Sequence, residues 1–570
     1  MNHRPFGYAC GIALLIGAFT GAALALGYVP SESHAWLSVL AVDQAWAGRF
    51  VRGLHRAAAE AALVSGALAV ATALASSTGS GSSRARLGLW LLALLLVVAL
   101  IITGNPLRGD NAGRFALSTE TNVVGTLPWL GHLARRALTG SGPDQALIAR
   151  MFVRHAVLLP ALLALVLAAS YRVKPGRSPG SEGVAGGAQR AFAPGIADFV
   201  AMLACTCAIG GSALLAGAPL GAPADLESAF PARPAWYFQP LYLARQLLPA
   251  ERAPALTLLG LAVSALLLAM LLRPHRAPTS VAQQKWRSRL VLGALAGYGL
   301  LAAFGALRDS RDPEVSWSAR QERWAVERVL ALSRAGVSLK QGARQALNAD
   351  PVHRARALFS EHCANCHALG DLGPRDGRPR APSLDGFGTA TWVMSMLDSP
   401  DAPHRFGNTP FSGKMPSVTR PPADPALRAQ FQPMPADEQR QVAEFLSSQA
   451  FPEEVTRATT LRHEAGERIV RERCTSCHLF AGKTDDDEGR APELLGWGSP
   501  DWIFAQVLNP SSGRTYRPGP KSAGEMPGFG GVLSRDEVVL LVHLIRGTLP
   551  NGLPSAAYQA KNELESVGSE

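Results

Sequence analysis

Apolar residues gather in seven stretches in the first half of the chain, at about residues 8–28, 53–75, 87–105, 152–171, 196–217, 254–272 and 288–307. Each is long enough to cross a hydrocarbon core as a helix. The first lacks an obvious cleavage site after its apolar run and reads as a retained helix rather than a signal peptide. After residue 308 the pattern changes. Residues 309–350 are polar and helix-prone, with Trp317, Trp324 and Val329-Leu330 as scattered apolar contacts before an Asp350-Pro351 break. Beyond that break, helix-like runs such as 436–446 return in a polar background, and the last stretch, 554–570, is small, polar and expected to be disordered. The pattern predicts an all-α fold: a seven-helix transmembrane bundle followed by two small all-α domains. The expected divisions are 1–190 (four helices), 191–308 (three helices), a connector at 309–350, domains at 351–450 and 451–553, and the tail.

Charge refines this picture. The net charge of +11 belongs to the membrane half. Loops after the even-numbered stretches, with the amino terminus, hold Arg4, Arg84, Arg86, Arg172, Lys174, Arg177, Arg190, Arg273, Arg276, Lys285, Arg287 and Arg289 against the single acid Glu182. The alternate loops hold Glu32, Asp43, Asp110, Glu120, Asp144, Asp225, Glu227 and Glu251. By the positive-inside rule the amino terminus is cytoplasmic, and seven crossings put everything after residue 308 on the outer side. Basicity here is a sorting signal, so it does not point to nucleic acid.

The candidate chemistry lies in the outer half. Cys363-Ala364-Asn365-Cys366-His367 and Cys474-Thr475-Ser476-Cys477-His478 are Cys-x-x-Cys-His motifs, in which two thiols form thioethers to haem and the next His ligates iron. Half a zinc site or a redox dithiol is the competing reading for a lone motif. Here the motifs sit in a repeat. Ala381-Pro382-Ser383-Leu384, Gly386-Phe387-Gly388 and Trp392 recur as Ala491-Pro492-Glu493-Leu494, Gly496-Trp497-Gly498 and Trp502, and Gly413-Lys414-Met415-Pro416 recurs as Gly524-Glu525-Met526-Pro527. Met415 and Met526 are therefore the expected sixth ligands, with Met434 the competitor in the first unit and Met394 and Met396 read as core. A thioether opposite His favours reduced iron and suits an electron carrier. Two covalent haems c are thus expected. Both must be attached outside the membrane, which agrees with the helix parity. Cys10, Cys205 and Cys207 lie in apolar helices and read as small buried hydrophobes.

In the membrane half, His55 and His155 stand near the starts of the second and fourth stretches, which run in the same direction, so both fall near the outer face. Two imidazoles at matched depth are what an axially bis-ligated haem b requires. Arg52, three residues before His55, can reach a haem propionate or act as an interfacial arginine. Glu60 can accept a proton or pair with Arg56 at i, i+4.

Thr20-Gly21, Tyr28-Val29-Pro30, Arg52-Gly53-Leu54-His55, Thr103-Gly104-Asn105-Pro106-Leu107, Thr121-Asn122 and Phe152-Val153-Arg154-His155 with Leu158-Leu159-Pro160 resemble the haem-binding half of the cytochrome b family. Pro234-Ala235-Trp236-Tyr237-Phe238 resembles that family's Pro-Glu-Trp-Tyr quinol-site segment, with Tyr237 the candidate site residue and Ala235 in place of Glu. The resemblance covers roughly residues 8–307. The tail is similar to the dihaem c extensions fused to cytochrome b in some bacterial bc complexes. The family carries a second His on each haem helix; here those places read Ala69 and Ala169 or Ser170, so a second haem b is not expected. Arg108-Gly109 replaces the family's Pro-Trp after Leu107.

The resemblance implies a bacterial inner-membrane electron-transfer subunit of a quinol:cytochrome c oxidoreductase. It would have a Rieske-type iron-sulfur partner and a soluble cytochrome c or similar acceptor, with another cytochrome b as a further candidate partner. A quinone-cycle enzyme must also send electrons across roughly 30 Å of membrane core, which one outer haem cannot span. A non-catalytic conduit or structural subunit is therefore the second reading. A dihaem peroxidase is a third, opposed by Met415 and Met526.

Overall fold

A computed structural model describes residues 4–76, 81–125, 131–139, 146–173, 194–225, 230–231, 233–246, 281–452, 460–484, 491–516 and 526–549. The chain divides into two compact units. The first is Met1–Val326 with Lys340–Arg344, and the second is Glu327–Leu339 with Gln345–Glu570.

In the first unit the elements are α1 (Arg4–Ala25), α2 (Ala35–Asp43), α3 (Trp46–Ser76), α4 (Gly81–Gly104), α5 (Asn111–Gly125), α6 (Gly131–Thr139), α7 (Leu147–Val153), α8 (Leu159–Arg172), α9 (Ile196–Leu215), α10 (Gln239–Gln246) and α11 (Val281–Ser310). Among the described residues six helices are long and apolar enough to cross a membrane; they begin at Arg4, Trp46, Ala85, Leu147, Ile196 and Trp286. The protein is a multi-pass membrane protein. The predicted span at 254–272 lies outside the described residues.

Helix α1 packs against α3 and α9, and α4 against α3 and α8. The contacts are made by small residues: Ala13, Ala57, Ala58, Ala62 and Ala93 are buried, together with Leu96, Val97, Leu163 and Ile209. Small side chains let backbones approach, which is how helices associate where lipid is as apolar as leucine. The large apolar side chains point outward instead, with Phe19, Leu165 and Leu203 among the exposed ones. The connections after α1 and α4 carry α2, α5 and α6.

At the end of α4 the chain turns through a 3-10 segment, Asn105–Arg108, and Gly109 takes φ 67°. The turn meets the loop after α9. Trp36 Nε1 donates to Gly221 O at 2.8 Å, and the Gly221 N–H donates to Asp110 Oδ2 at 3.1 Å. Glu322, on α12 (Pro313–Arg334), accepts from Asn111 Nδ2 and from the Ala222 N–H, both at 2.6 Å.

The second unit contains α13 (Ala343–Ala349), α14 (Pro351–His362), α15 (Ala390–Asp398), α16 (Pro425–Gln430), α17 (Ala436–Ala450), α18 (Thr460–Arg473), α19 (Pro500–Leu508) and α20 (Arg535–Ile545), of which α13 begins in the first unit. Asp350 caps α14 by accepting from the His353 N–H at 2.9 Å, and Arg328 pairs with it at 2.7 Å, so the Asp-Pro break is a helix start. Ser534 and Glu537 form a capping box at the start of α20.

The all-α expectation has one departure, a parallel pair of short strands, β1 (His478–Leu479) and β2 (Ala491–Glu493). The pairing holds the second Cys-x-x-Cys-His motif beside its Ala-Pro segment. The two repeats also share one core rather than two. Phe387 and Trp392 of the first stand 4.9 and 5.6 Å from Trp497 of the second. The reason lies in Gly388 and Gly498, both at positive φ, where an added Cβ would stand 2.8 and 3.0 Å from that of Ala450. Without side chains, the two turns close on α17 from both repeats.

Candidate haem sites

His55 and His155 come together between α3 and the start of α8. Their ring centroids are 6.0 Å apart at 76°. Two Nε2 atoms each about 2 Å from one metal place imidazole centroids roughly 6 Å apart, so the spacing fits a shared axial site. The two surroundings match. His55 Nδ1–H donates to Gly17 O at 3.0 Å with Thr20 Oγ1 at 3.1 Å, and His155 Nδ1–H donates to Leu100 O at 2.9 Å with Thr103 Oγ1 at 3.5 Å. Each threonine also donates to the turn before it, Thr20 to Ile16 O and Thr103 to Ala99 O.

A carbonyl only accepts, so Nδ1 carries the proton and the neutral ring keeps its lone pair on Nε2, the ligating state. The residue after each threonine is glycine. A Cβ on Gly21 would stand 2.9 Å from His55 Cε1, and on Gly104 2.7 Å from His155 Cε1. His155 itself lies in a π-helical turn, Arg154–Leu158, ahead of Pro160. Proline cannot donate to the carbonyl four residues back, and wide turns of this kind re-aim side chains at functional sites. Tyr28 locks this end: its ring stacks on Phe152 at 5.3 Å and its hydroxyl donates to Leu107 O at 2.8 Å.

The remaining predicted residues of this unit are placed as follows. Arg52 forms a buried ion pair with Asp43. Glu60 pairs with Arg56 at 3.1 Å. Tyr237 is buried, its ring edge-on to Trp236 and Phe238 and its carbonyl accepting from the Tyr298 hydroxyl, while Ala235 packs beside it. Ala69 and Ser170 are buried, and Ser170 Oγ donates to Leu167 O. Cys10 is buried, but Cys205 is half-buried and Cys207 exposed. The expectation of buried positions thus fails for Cys207, which lies on the outward side of a helix whose large apolar neighbours are also exposed.

In the second unit each Cys-x-x-Cys-His closes the helix before it. The N–H groups of Cys366 and His367 donate to Cys363 O, and those of Cys477 and His478 to Cys474 O. Two thiols and an imidazole are thereby held on one turn. His367 Nδ1–H donates to Pro382 O at 2.8 Å and His478 Nδ1–H to Pro492 O at 3.1 Å. Burial pushes both imidazoles below their usual range, so they stay neutral. The Cys363 and Cys474 thiols are pushed up by burial, to about 12 and about 11. All four motif cysteines are free, and among the described residues no three His, Cys, Asp or Glu side chains are arranged around a metal ion. This donor set fits covalent haem.

Met415 and Met526 pack at the edge of the shared core, whereas Met434 is buried in it. Met526 Sδ accepts from Gln506 Nε2 at 3.4 Å. Met396 is buried in the core and Met394 lies against it, as the sequence suggests. Sequence reasoning missed the Gly17 and Leu100 carbonyls and Arg405. The first two carry no residue-type signal, and the third is considered below.

Comparisons with known proteins bear on the membrane half. Residues 84–209 match the family described as cytochrome b(N-terminal)/b6/petB. That stretch includes His155 and begins after His55. Cytochrome b6 of Cyanidium caldarium is 27% identical over 159 residues, covering 28% of this chain and 74% of the relative. A chain from a solved structure described as a hyperthermophilic respiratory complex III aligns with a TM-score of 0.42 at 16% identity, over 54% of this chain and 84% of that one. Residues 84–209 are thus similar to the amino-terminal part of cytochrome b, a class of membrane electron-transfer domain.

Proposed function

We propose that this chain is an electron-transfer subunit of a bc-type quinol:cytochrome c oxidoreductase in a bacterial inner membrane, with one haem b held by His55 and His155 and two covalent haems c. Cys363, Cys366, Cys474 and Cys477 would hold the two haems c as thioethers, and His367 with Met415 and His478 with Met526 would ligate their irons. Haem supplies reversible one-electron exchange at iron. The observation that carries the reading is shared by all four histidines: each donates Nδ1–H to a backbone carbonyl and keeps Nε2 for iron.

The chain's own residues do the rest. Backbone carbonyls fix the tautomers, glycines leave room beside the membrane imidazoles, and burial keeps the outer imidazoles neutral. Arg52 reaches a propionate only by leaving Asp43. The basic loops support a cytoplasmic amino terminus with the second unit outside, facing a soluble acceptor and a Rieske-type partner.

Ala235 favours a second reading. With no carboxylate at that place and with Tyr237 buried, a partner cytochrome b would oxidise quinol and this chain would conduct. A pyridine-haemochrome spectrum of the purified chain tests the cofactor set. A b:c ratio of 1:2 is expected; 2:2 would restore a second haem b, and absence of c-type haem would sink the proposal. Quinol-dependent reduction of cytochrome c by the chain alone separates the two functional readings.

A further inference from the structure

Arg405 is 6% exposed, yet among the described residues no carboxylate lies within ion-pair distance of it. Its guanidinium lies 4.5 Å over the Trp392 ring, Nη1 reaches Ser383 O at a long 3.4 Å, and buried Nε has no partner. Asp385 acts on it from a distance, but its oxygens are taken by the Gly370 N–H and the Ser383 hydroxyl. Arginine does not deprotonate, and a buried cation is costly without an anion beside it. An anion must therefore meet it.

The position identifies that anion. Ser383 follows Pro382, whose carbonyl orients His367, and the Ser383 carbonyl also accepts Trp392 Nε1–H at 2.9 Å. The guanidinium thus stands one residue from the support of the first axial histidine. We propose that Arg405 binds a haem propionate in the first repeat and holds that haem at a higher potential than the second. The inference rests on the haem c reading given above.

At the corresponding described position the second repeat carries no cation. The Ser383 N–H donates to His404 O at 2.9 Å, and the Glu493 N–H donates to Thr515 O at 2.8 Å. His404 thus corresponds to Thr515, and Arg405 to Tyr516. A phenol stands where the first repeat has a guanidinium. A fixed positive charge opposes the charge gained when iron is oxidised, and a neutral donor does so far less. Electrons then run from the second haem c to the first.

Redox titration of the c bands in the full-length membrane protein tests this, comparing wild type with Arg405→Gln and Arg405→Lys. One of the two c transitions should fall by about tenfold in its reduction equilibrium in Arg405→Gln, ~59 mV for one electron, with the other unmoved. Arg405→Lys keeps the charge without the fork and should move it less. Unchanged c potentials with full haem c content overturn the proposal, as does an equal shift of both. Wild-type protein without covalent haem overturns the parent reading instead. Should Arg405→Gln lose its first haem, the carboxylate bending band in resonance Raman decides: it shifts between wild type and Arg405→Lys if the guanidinium holds the propionate, and stays fixed if not.

Discussion

Four histidines in two regions are prepared in the same way and assembled differently. In the second unit, the carbonyl orienting each ring comes from nearby sequence: Pro382 is 15 residues from His367 and Pro492 is 14 from His478. In the membrane unit, Gly17 is 38 residues from His55 and Leu100 is 55 from His155. A covalent attachment motif can be built on one turn and its adjoining loop, because thioethers hold the ligand. A haem held by axial ligation alone needs two histidines brought together by helix packing, so its site exists only once α1, α3, α4 and α8 are assembled.

The largest test of that contrast is removal of the thiols. Replacing Cys474 and Cys477 by Ser should cost one of the two covalent haems, about halving c-type absorbance, while haem staining of denatured protein persists through Cys363 and Cys366. Replacing all four should abolish the stain and leave the b band. Haem still attached after denaturation of the four-thiol variant would break the comparison. Next in size is Gly104→Val. Even a Cβ there lies 2.7 Å from His155 Cε1, so the imidazole must turn, whereas at Gly11 nothing lies within 4 Å. Gly104→Val should weaken haem b retention about ten- to a hundredfold with the c bands untouched, and Gly11→Val should not. Equal haem b content in the two variants would remove the steric argument.

The same contrast explains what the sequence made legible. The Cys-x-x-Cys-His turns and the six spans among the described residues are local signals, and the structure places them where residue types and spacing put them. The contact of His55 with His155 was readable only as matched depth on two parallel helices. Their supporting carbonyls, and the π-helical turn that aims His155, leave no trace in residue type. Arg405 was invisible for a related reason: a lone arginine in a polar stretch reads as a surface residue until burial is known. Joining of the two repeats into one core was not legible: Gly388 and Gly498 read only as matching positions of the repeat, and contact with Ala450 shows why neither accommodates a Cβ.

The smallest predicted effect concerns the framework beyond Gly104. There Glu322 accepts from Asn111 and Ala222, with Asp110 close by and Arg108 paired to Asp110 at 3.1 Å. Burial pushes the Glu322 carboxyl from 4.5 up to about 7, Asp110 adds to the rise, and the Asn111, Ala222 and Arg108 contacts oppose it. The folded chain therefore holds a proton that the unfolded chain releases above pH 4.5, so stability is highest below that pH. It declines as pH rises towards about 7 and is level above. The contribution is about 1–3 kcal/mol at most. Thermal unfolding of the detergent-solubilised chain, followed by loss of the b band, should show a midpoint falling between pH 5 and pH 7.5. In Glu322→Gln, which cannot ionise, that slope should flatten. The c bands supply the internal reference, because Glu322 belongs to the first unit and both Cys-x-x-Cys-His motifs to the second. An undiminished slope in Glu322→Gln would assign the pH dependence to another group.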